Sequence, residues 1–264
     1  MSFFFPAETD ALKTKRGRKM LTIDTLRKLG CQACPLNNLR DLKHPKMNAT
    51  GSKQPLVMIF GEAPGAVEDQ KGRQFVGDSG KLLRPLIPKK YRDQIRWSNT
   101  IHCRPPRNAT PGVTEIECCR SRSVTDVERY KPKAIFAMGG TPLRWATGED
   151  GITKWRGRYL PTKIGEHTCW IFPMFHPAGL LRRRRKSRSG KEIPSEEEKT
   201  FARDLKRAFA LVEKLPDARI EAPIERAAVG TGGRSDRRGS SSSGGLQNGL
   251  YERIFYLTGD GGWA

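Results

Sequence analysis

Residues 55–65 read PLVMIFGEAPG, an apolar run that stops at glycine and proline. A run of this length and continuity reads as a strand buried on both faces, as parallel strands are, and it empties into a loop. In α/β sheets that position, beyond a strand's carboxyl end, is where ligands bind. The chain around it repeats the pattern. Residues 95–101 read as a second strand running into a loop that carries Cys103; KAIFAMGG (133–140) reads as a third and CWIFPMFHPAG (169–179) as a fourth, ending in His-Pro-Ala-Gly. Between them lie helical stretches. Residues 23–29 have helical spacing, and DSGKLLRPLI (78–87) is expected to be capped by Asp78 or Ser79. Residues 114–130 take Thr114 as their cap, with Glu115 and Glu117 in the first turn, where acidic side chains favour the helix dipole. TPLRWATG is a short helix, and EEEKTFARDLKRAFALVEKL (196–215) is an amphipathic closing helix. Strands interleaved with helices predict an α/β three-layer sandwich around a central, mainly parallel four-stranded sheet.

Composition sets the partners. Of 264 residues, 49 are Lys or Arg and 28 Asp or Glu, a net charge of +21. Lys and Arg gain most where they displace counterions from phosphates, so the expected partner is a nucleic acid. No apolar run approaches the length of a spanning helix, and the first residues lack a secretory pattern, so no membrane association is expected and the location is read as intracellular, cytoplasm or nucleoid. Three regions follow: a basic N-terminal arm (1–20), one domain (21–215) and a low-complexity tail (216–264). Residues 229–248 are too rich in Gly, Ser and Arg to bury a core and are expected to be disordered. The closing LYERIFYLTGDGGWA is apolar enough to bind a protein partner.

Four of the six cysteines form a frame: Cys31 and Cys34 as C-x2-C, then Cys103 and Cys119 as C-x15-C. The first pair can grip one metal centre, and the chain must fold back to bring up the second. Such spacing favours a metal in a reducing compartment over disulfides. Spacing alone fits either tetrahedral zinc or a [4Fe–4S] cube. Cys118 adjoins Cys119, and on a helix the two point about a hundred degrees apart, so only one is expected to face the centre. Cys169, mid-strand, reads as a small buried apolar residue.

Taken in order, GEAPG (61–65), EDQKGRQFVGDSG (68–80), NTIHCRPPRN (99–108), HPAGLLR (176–182) and the cysteine frame resemble the iron–sulfur (family 4) branch of the uracil-DNA glycosylase superfamily over residues 21–215. The resemblance implies a monofunctional enzyme that hydrolyses the N-glycosidic bond of flipped-out uracil in DNA and leaves an abasic site for base excision repair. It also implies a structural [4Fe–4S] cluster on Cys31, Cys34, Cys103 and Cys119, and a protein acting as a monomer on uracil-containing DNA.

The chemistry assigns parts to residues. Extruding a nucleotide costs a few kcal/mol of stacking, recovered inside the pocket. Phe75 would stack on the flipped ring. Asn99 offers one donor and one acceptor, the pattern that uracil O4 and N3–H require and cytosine fails. His176 would sit against O2, where negative charge grows as the base leaves. A carboxylate must stabilise the oxocarbenium-like sugar or orient water; Glu62 and Glu68 are both candidates, and residue types do not choose between them. Gly61 lets the backbone approach the base. The resemblance further implies that an apolar residue just after the His motif plugs the hole left by the extruded base, here Leu180 or Leu181, with Arg182, Arg183 and Arg184 on flanking phosphates.

Taken singly, each of these residues has a plain structural explanation, from core aromatic to solvated loop charge; together, at the family's spacing, they read as a site. Gln74 departs from the family, where Pro is common before the Phe, as does His102, where Lys is common. Two other functions stay open: a glycosylase for other deaminated bases, and an inactive cluster-bearing DNA-binding or replication-accessory protein.

Overall fold

The computed structural model describes residues 21–186 and 192–220. The arm, most of the tail and its proposed partner-binding end lie outside the described residues. Helix α1 (Ile23–Leu29) is capped by Thr22, whose side chain accepts from Thr25 N–H. A 3-10 turn (Gly30–Gln32) carries Cys31, and Cys34 caps a second (Pro35–Asn38). The alternating order of the sequence then appears: β1 (Thr50–Gly51), β2 (Val57–Gly61), α2 (Ala66–Lys71), α3 (Asp78–Leu86), β3 (Ile95–Asn99), α4 (Val113–Tyr130), β4 (Ala134–Met138), α5 (Gly140–Thr147), α6 (Ile152–Trp155), β5 (Leu160–Ile164), β6 (His167–Met174), α7 (Pro177–Arg182), β7 (Arg185–Lys186), β8 (Glu192–Ile193) and α8 (Glu196–Lys214).

The main sheet has six strands in the order β1-β3-β2-β4-β6-β5, not four. The four expected strands form its parallel centre, and antiparallel β1 and β5 are added at the two edges. The edges escape sequence patterning for physical reasons. β1 is two residues long, and β5 (LPTKI) carries a proline and a lysine, which edge strands tolerate because one side makes no ladder bonds. Two caps also differ from expectation: α3 begins after Gly77 and α4 after Gly112, so neither Asp78, Ser79 nor Thr114 caps its helix.

Every residue of β2, β3 and β4 is buried. Because successive side chains point to opposite faces, β2 feeds two cores. Val57 and Ile59 pack with Leu83 of α3, Tyr91, and Phe201, Leu205 and Phe209 of α8. Met58 and Phe60 pack on the other face with Val127 of α4, Leu143 and Trp145 of α5, and Trp155 of α6. The three layers foreseen from sequence follow. Helix α8 is capped by Ser195, whose hydroxyl accepts from Glu198 N–H, and three glutamates fill its first turn. Past its end, Trp170 Nε1 donates to Pro216 O at 2.9 Å and Ala218 packs on the core, so the first residues of the tail belong to the domain's surface.

Candidate active site

The four parallel strands end on one edge of the sheet. β2 connects to β3 on one side while β4 lies on the other, so the crevice between β2 and β4 is a switch point of the kind where α/β proteins bind ligands. Asn99 ends β3 opposite Gly61, which ends β2. A Cβ at Gly61 would stand 2.2 Å from Asn99 Oδ1 and 2.8 Å from Phe75 Cζ, so glycine is what lets the amide and the ring close over the strand end. Phe75 also rests against Trp97, ring centroids 5.3 Å apart.

Phe75 has φ 52°, a left-handed conformation rare for a bulky side chain and costing on the order of 1–3 kcal/mol. Charges on both sides hold it there. Glu68 Oε1 accepts from Val76 N–H at 2.9 Å and Gly77 N–H at 2.6 Å. Arg84 donates to Phe75 O at 3.0 Å and Gln74 O at 3.1 Å, its guanidinium 4.1 Å from the Trp97 ring centroid. Gly80 passes so close that a Cβ there would stand 1.7 Å from Phe75 O. Glu68 is thus a clamp on the turn that carries the ring. Glu62, by contrast, follows β2 directly and accepts from Thr141 Oγ1 at 2.6 Å, a bond that spans the crevice between β2 and β4.

His176 follows β6 and packs over Gly139, where a Cβ would lie 3.2 Å from its own Cβ. Its Nδ1 accepts from Ala178 N–H at 3.1 Å as it caps α7, which Pro177 begins. Burial first, then the nearby Arg182 charge, push its pKa down from 6.5 to about 4. The imidazole is therefore neutral near pH 7. With Nδ1 occupied as an acceptor the proton sits on Nε2, which is left to donate.

After α7, Leu180 is 1% exposed and packs in the core, so of the two leucines expected to plug the duplex only Leu181 is partly open to solvent. Arg182 and Arg183 are exposed. Arg183 reaches Glu197 at 3.2 Å. Arg184 is committed elsewhere: its guanidinium bridges both oxygens of the buried Glu198 at 2.7 and 2.8 Å and meets Glu192 at 2.8 Å. It fastens the β7–β8 ribbon to the start of α8 instead of standing free for a phosphate.

The cysteines come together beside the loop that leaves β2, where Cys103 and Cys119 pack with Ile101 and Ala63. Cys31, Cys34, Cys103, Cys118 and Cys119 line one recess with Leu36, Ile101, Lys46 and Arg122. Among the described residues no three His, Cys, Asp or Glu side chains are gathered tightly enough to hold a single ion. Desolvation pushes the thiols of Cys34 and Cys103 upward, that of Cys118 to about 11 and that of Cys119 to about 12, so thiolates there require a cationic centre in contact with them. Lys46 N–H donates to Cys103 Sγ at 3.2 Å, a bond of the sort that supports a metal-bound thiolate. The donor set therefore fits a thiolate-bound centre. Both Cys118 and Cys119 border the recess, contrary to the expectation that only one would face it. Cys169 is fully buried in the strand, as expected.

Arg84, Thr141 and Gly80 escaped the sequence reading. Gly80 and Arg84 lie four apart on α3 and so share a face toward the Phe75 turn, which the spacing of DSGKLLR could have revealed. Thr141 bears no signal beyond its place after a glycine pair at a strand end.

A comparison with family models matches residues 49–206 to the uracil DNA glycosylase superfamily. The chain belongs to that superfamily. Relatives described as type-4 uracil-DNA glycosylases align with it: one of Sulfurisphaera tokodaii at 34% identity over 161 residues, covering 58% of this chain and 72% of the relative, and one of Thermotoga maritima at 35% over 160 residues, 58% and 79%. A third, of Archaeoglobus fulgidus, is 28% identical over 162 residues, 59% and 80%. Within the superfamily domain, no described helix is long and apolar enough to cross a membrane.

Proposed function

We propose that this chain is a uracil-DNA glycosylase that hydrolyses the bond between uracil and deoxyribose in DNA. The observation that carries the reading is the convergence of Asn99 and Phe75 on Gly61, with Glu62 and His176 along the same strand edge. Phe75 would stack on the base, and the amide of Asn99 would match O4 and N3–H of uracil. Neutral His176 would offer Nε2–H to O2, aimed where charge develops. Of the two carboxylates, Glu62 takes the part beside the sugar, stabilising the cation or orienting water, because Glu68 is engaged in holding the Phe75 turn. Leu181, with Arg182 and Arg183, would meet the duplex.

Cys31, Cys34, Cys103 and Cys119 would hold a [4Fe–4S] cluster. What supports the cluster is that these four thiols, in the frame by which the chain resembles the iron–sulfur branch, border one recess. Its contribution is to tie two distant parts of the chain; the residues of the strand edge do the chemistry.

The test is incubation of anaerobically purified protein with labelled oligonucleotides holding one uracil, thymine or cytosine, followed by alkali. Strand scission at uracil alone is expected, together with brown colour and bound iron. A folded, iron-loaded protein that cleaves no uracil substrate refutes the reading.

A further inference from the structure

Gln74 is fully buried, yet it is a polar residue at the start of the strained turn. Its side chain is engaged at both ends. Oε1 accepts from Asn99 Nδ2, and Nε2 donates to the backbone carbonyl of Asn48 at 3.4 Å. The two bonds are directional in opposite senses. An amide presents an acceptor on one side and donors on the other, so the Asn48 carbonyl, which only accepts, decides which way Gln74 faces. With Nε2 turned toward Asn48, Oε1 must face Asn99. A flipped Asn99 would then set its own oxygen against that of Gln74, leaving two buried acceptors without a proton between them. Such a pairing loses a hydrogen bond and leaves buried polar groups unsatisfied.

We infer that Gln74 is the positioning residue that fixes the amide orientation of Asn99, and so selects the base. This rests on the reading of Asn99 as the base-recognising residue. Uracil offers an acceptor at O4 and a donor at N3; cytosine offers a donor and an acceptor at the same places. An Asn99 free to flip satisfies either base, whereas an Asn99 held from behind satisfies uracil alone. The backbone is held as well: Ser123 Oγ lies 3.4 Å from Asn99 O and 3.2 Å from Thr100 O, its single proton shared between the two carbonyls. Gln74 touches neither base nor sugar in this scheme. Its effect reaches the substrate through the direction of one amide.

The test compares single-turnover excision of uracil and of cytosine by Gln74→Met, by Asn99→Ala and by the double variant, with melting temperature measured for each. Methionine keeps the volume and removes both bonds. The expected result is a drop of about tenfold in uracil excision with a matching narrowing of the uracil-to-cytosine ratio, and no further change when Gln74→Met is added to Asn99→Ala. Equal losses in both backgrounds, or an unchanged ratio in a folded variant, overturn the inference. So does a rise in rate, which would mean that Gln74 occupies the place of the base edge. Gln74→Glu provides a second measurement should Gln74→Met fail to fold. Protonated or ionised, the glutamate still accepts from Asn99 Nδ2 and so keeps Asn99 facing the same way, although the ionised form loses its donor to Asn48 O. Its uracil-to-cytosine ratio should therefore stay within about threefold of the unaltered protein's, and a ratio narrowed as far as is expected of Gln74→Met refutes the relay. If the unaltered protein excises no uracil, the functional reading itself has failed, and the two failures are told apart by that one lane.

Discussion

Replacing Gly61 by alanine adds a single methyl group at the centre of the proposed base pocket. The backbone there accepts it, since Gly61 is not among the residues with positive φ. The obstacle is space. The new carbon would stand 2.2 Å from Asn99 Oδ1 and 2.8 Å from Phe75 Cζ. Carbon–oxygen contacts closer than about 3.3 Å are already tight, so the amide must retreat by roughly 1 Å and the ring by somewhat less. Overpacking of this kind costs about 1–3 kcal/mol of stability. Catalysis should suffer more, because a displacement of about 1 Å in a positioning group costs roughly a hundredfold in rate. Single-turnover excision from a labelled single-stranded oligonucleotide isolates the chemical step, and thermal melting reports the fold. The expected outcome is a rate down by about two orders of magnitude with a melting temperature lowered by only a few degrees. A rate within twofold of the unaltered protein would show that Asn99 and Phe75 do not meet the base where Gly61 ends its strand.

The two carboxylates should separate by readout: Glu62→Gln lowers kcat and leaves the melting temperature unchanged, whereas Glu68→Ala lowers both, by about 1–3 kcal/mol in stability, because two backbone N–H groups lose their acceptor. Full activity in Glu62→Gln would return the catalytic part to Glu68. His176 is neutral down to about pH 4, below its ordinary 6.5, so the stability tied to it is complete above pH 6.5 and is lost as pH falls toward 4, where the unfolded chain protonates first. The shift corresponds to about 3 kcal/mol at most, and urea melts between pH 7 and 4 should show a shallower acid decline in His176→Asn; an equal decline refutes the assignment. The rate of the unaltered protein should show no ionisation near pH 6.5 from this group. Cys34→Ala and Cys119→Ala should each lose iron and melting temperature together, while Cys118→Ala retains iron; iron retained in Cys119→Ala and lost in Cys118→Ala would exchange the fourth ligand.

The central strands were legible because burial on both faces leaves unbroken apolar runs such as VMIFG and AIFAM. The edge strands were not, since a two-residue β1 and a β5 containing Pro161 and Lys163 carry no such signature. Motif order marked out Gly61, Phe75, Asn99 and His176, but what motif letters cannot convey is direction. Nothing in EDQKGRQFVGDSG tells that Glu68 bends back onto Val76 and Gly77, or that Phe75 adopts a positive φ. Leu180 and Leu181 are alike in the sequence, and only the rotation of α7 sends one into the core. Arg184 looked like one base among several until Glu198, fourteen residues later, claimed it.

The short segment 46–48 joins the two ends of the molecule's business. Lys46 donates to Cys103 Sγ, Met47 exchanges bonds with His102 through its own N–H and C=O, and the carbonyl of Asn48 orients Gln74 behind Asn99. Arg122 holds the same segment from the side through Lys46 O and Asn48 Oδ1. Three consecutive residues, Lys46, Met47 and Asn48, thus act as a spacer between the thiol recess and the recognition amide. A shift of the thiol recess would therefore reach the recognition amide through the backbone of this segment.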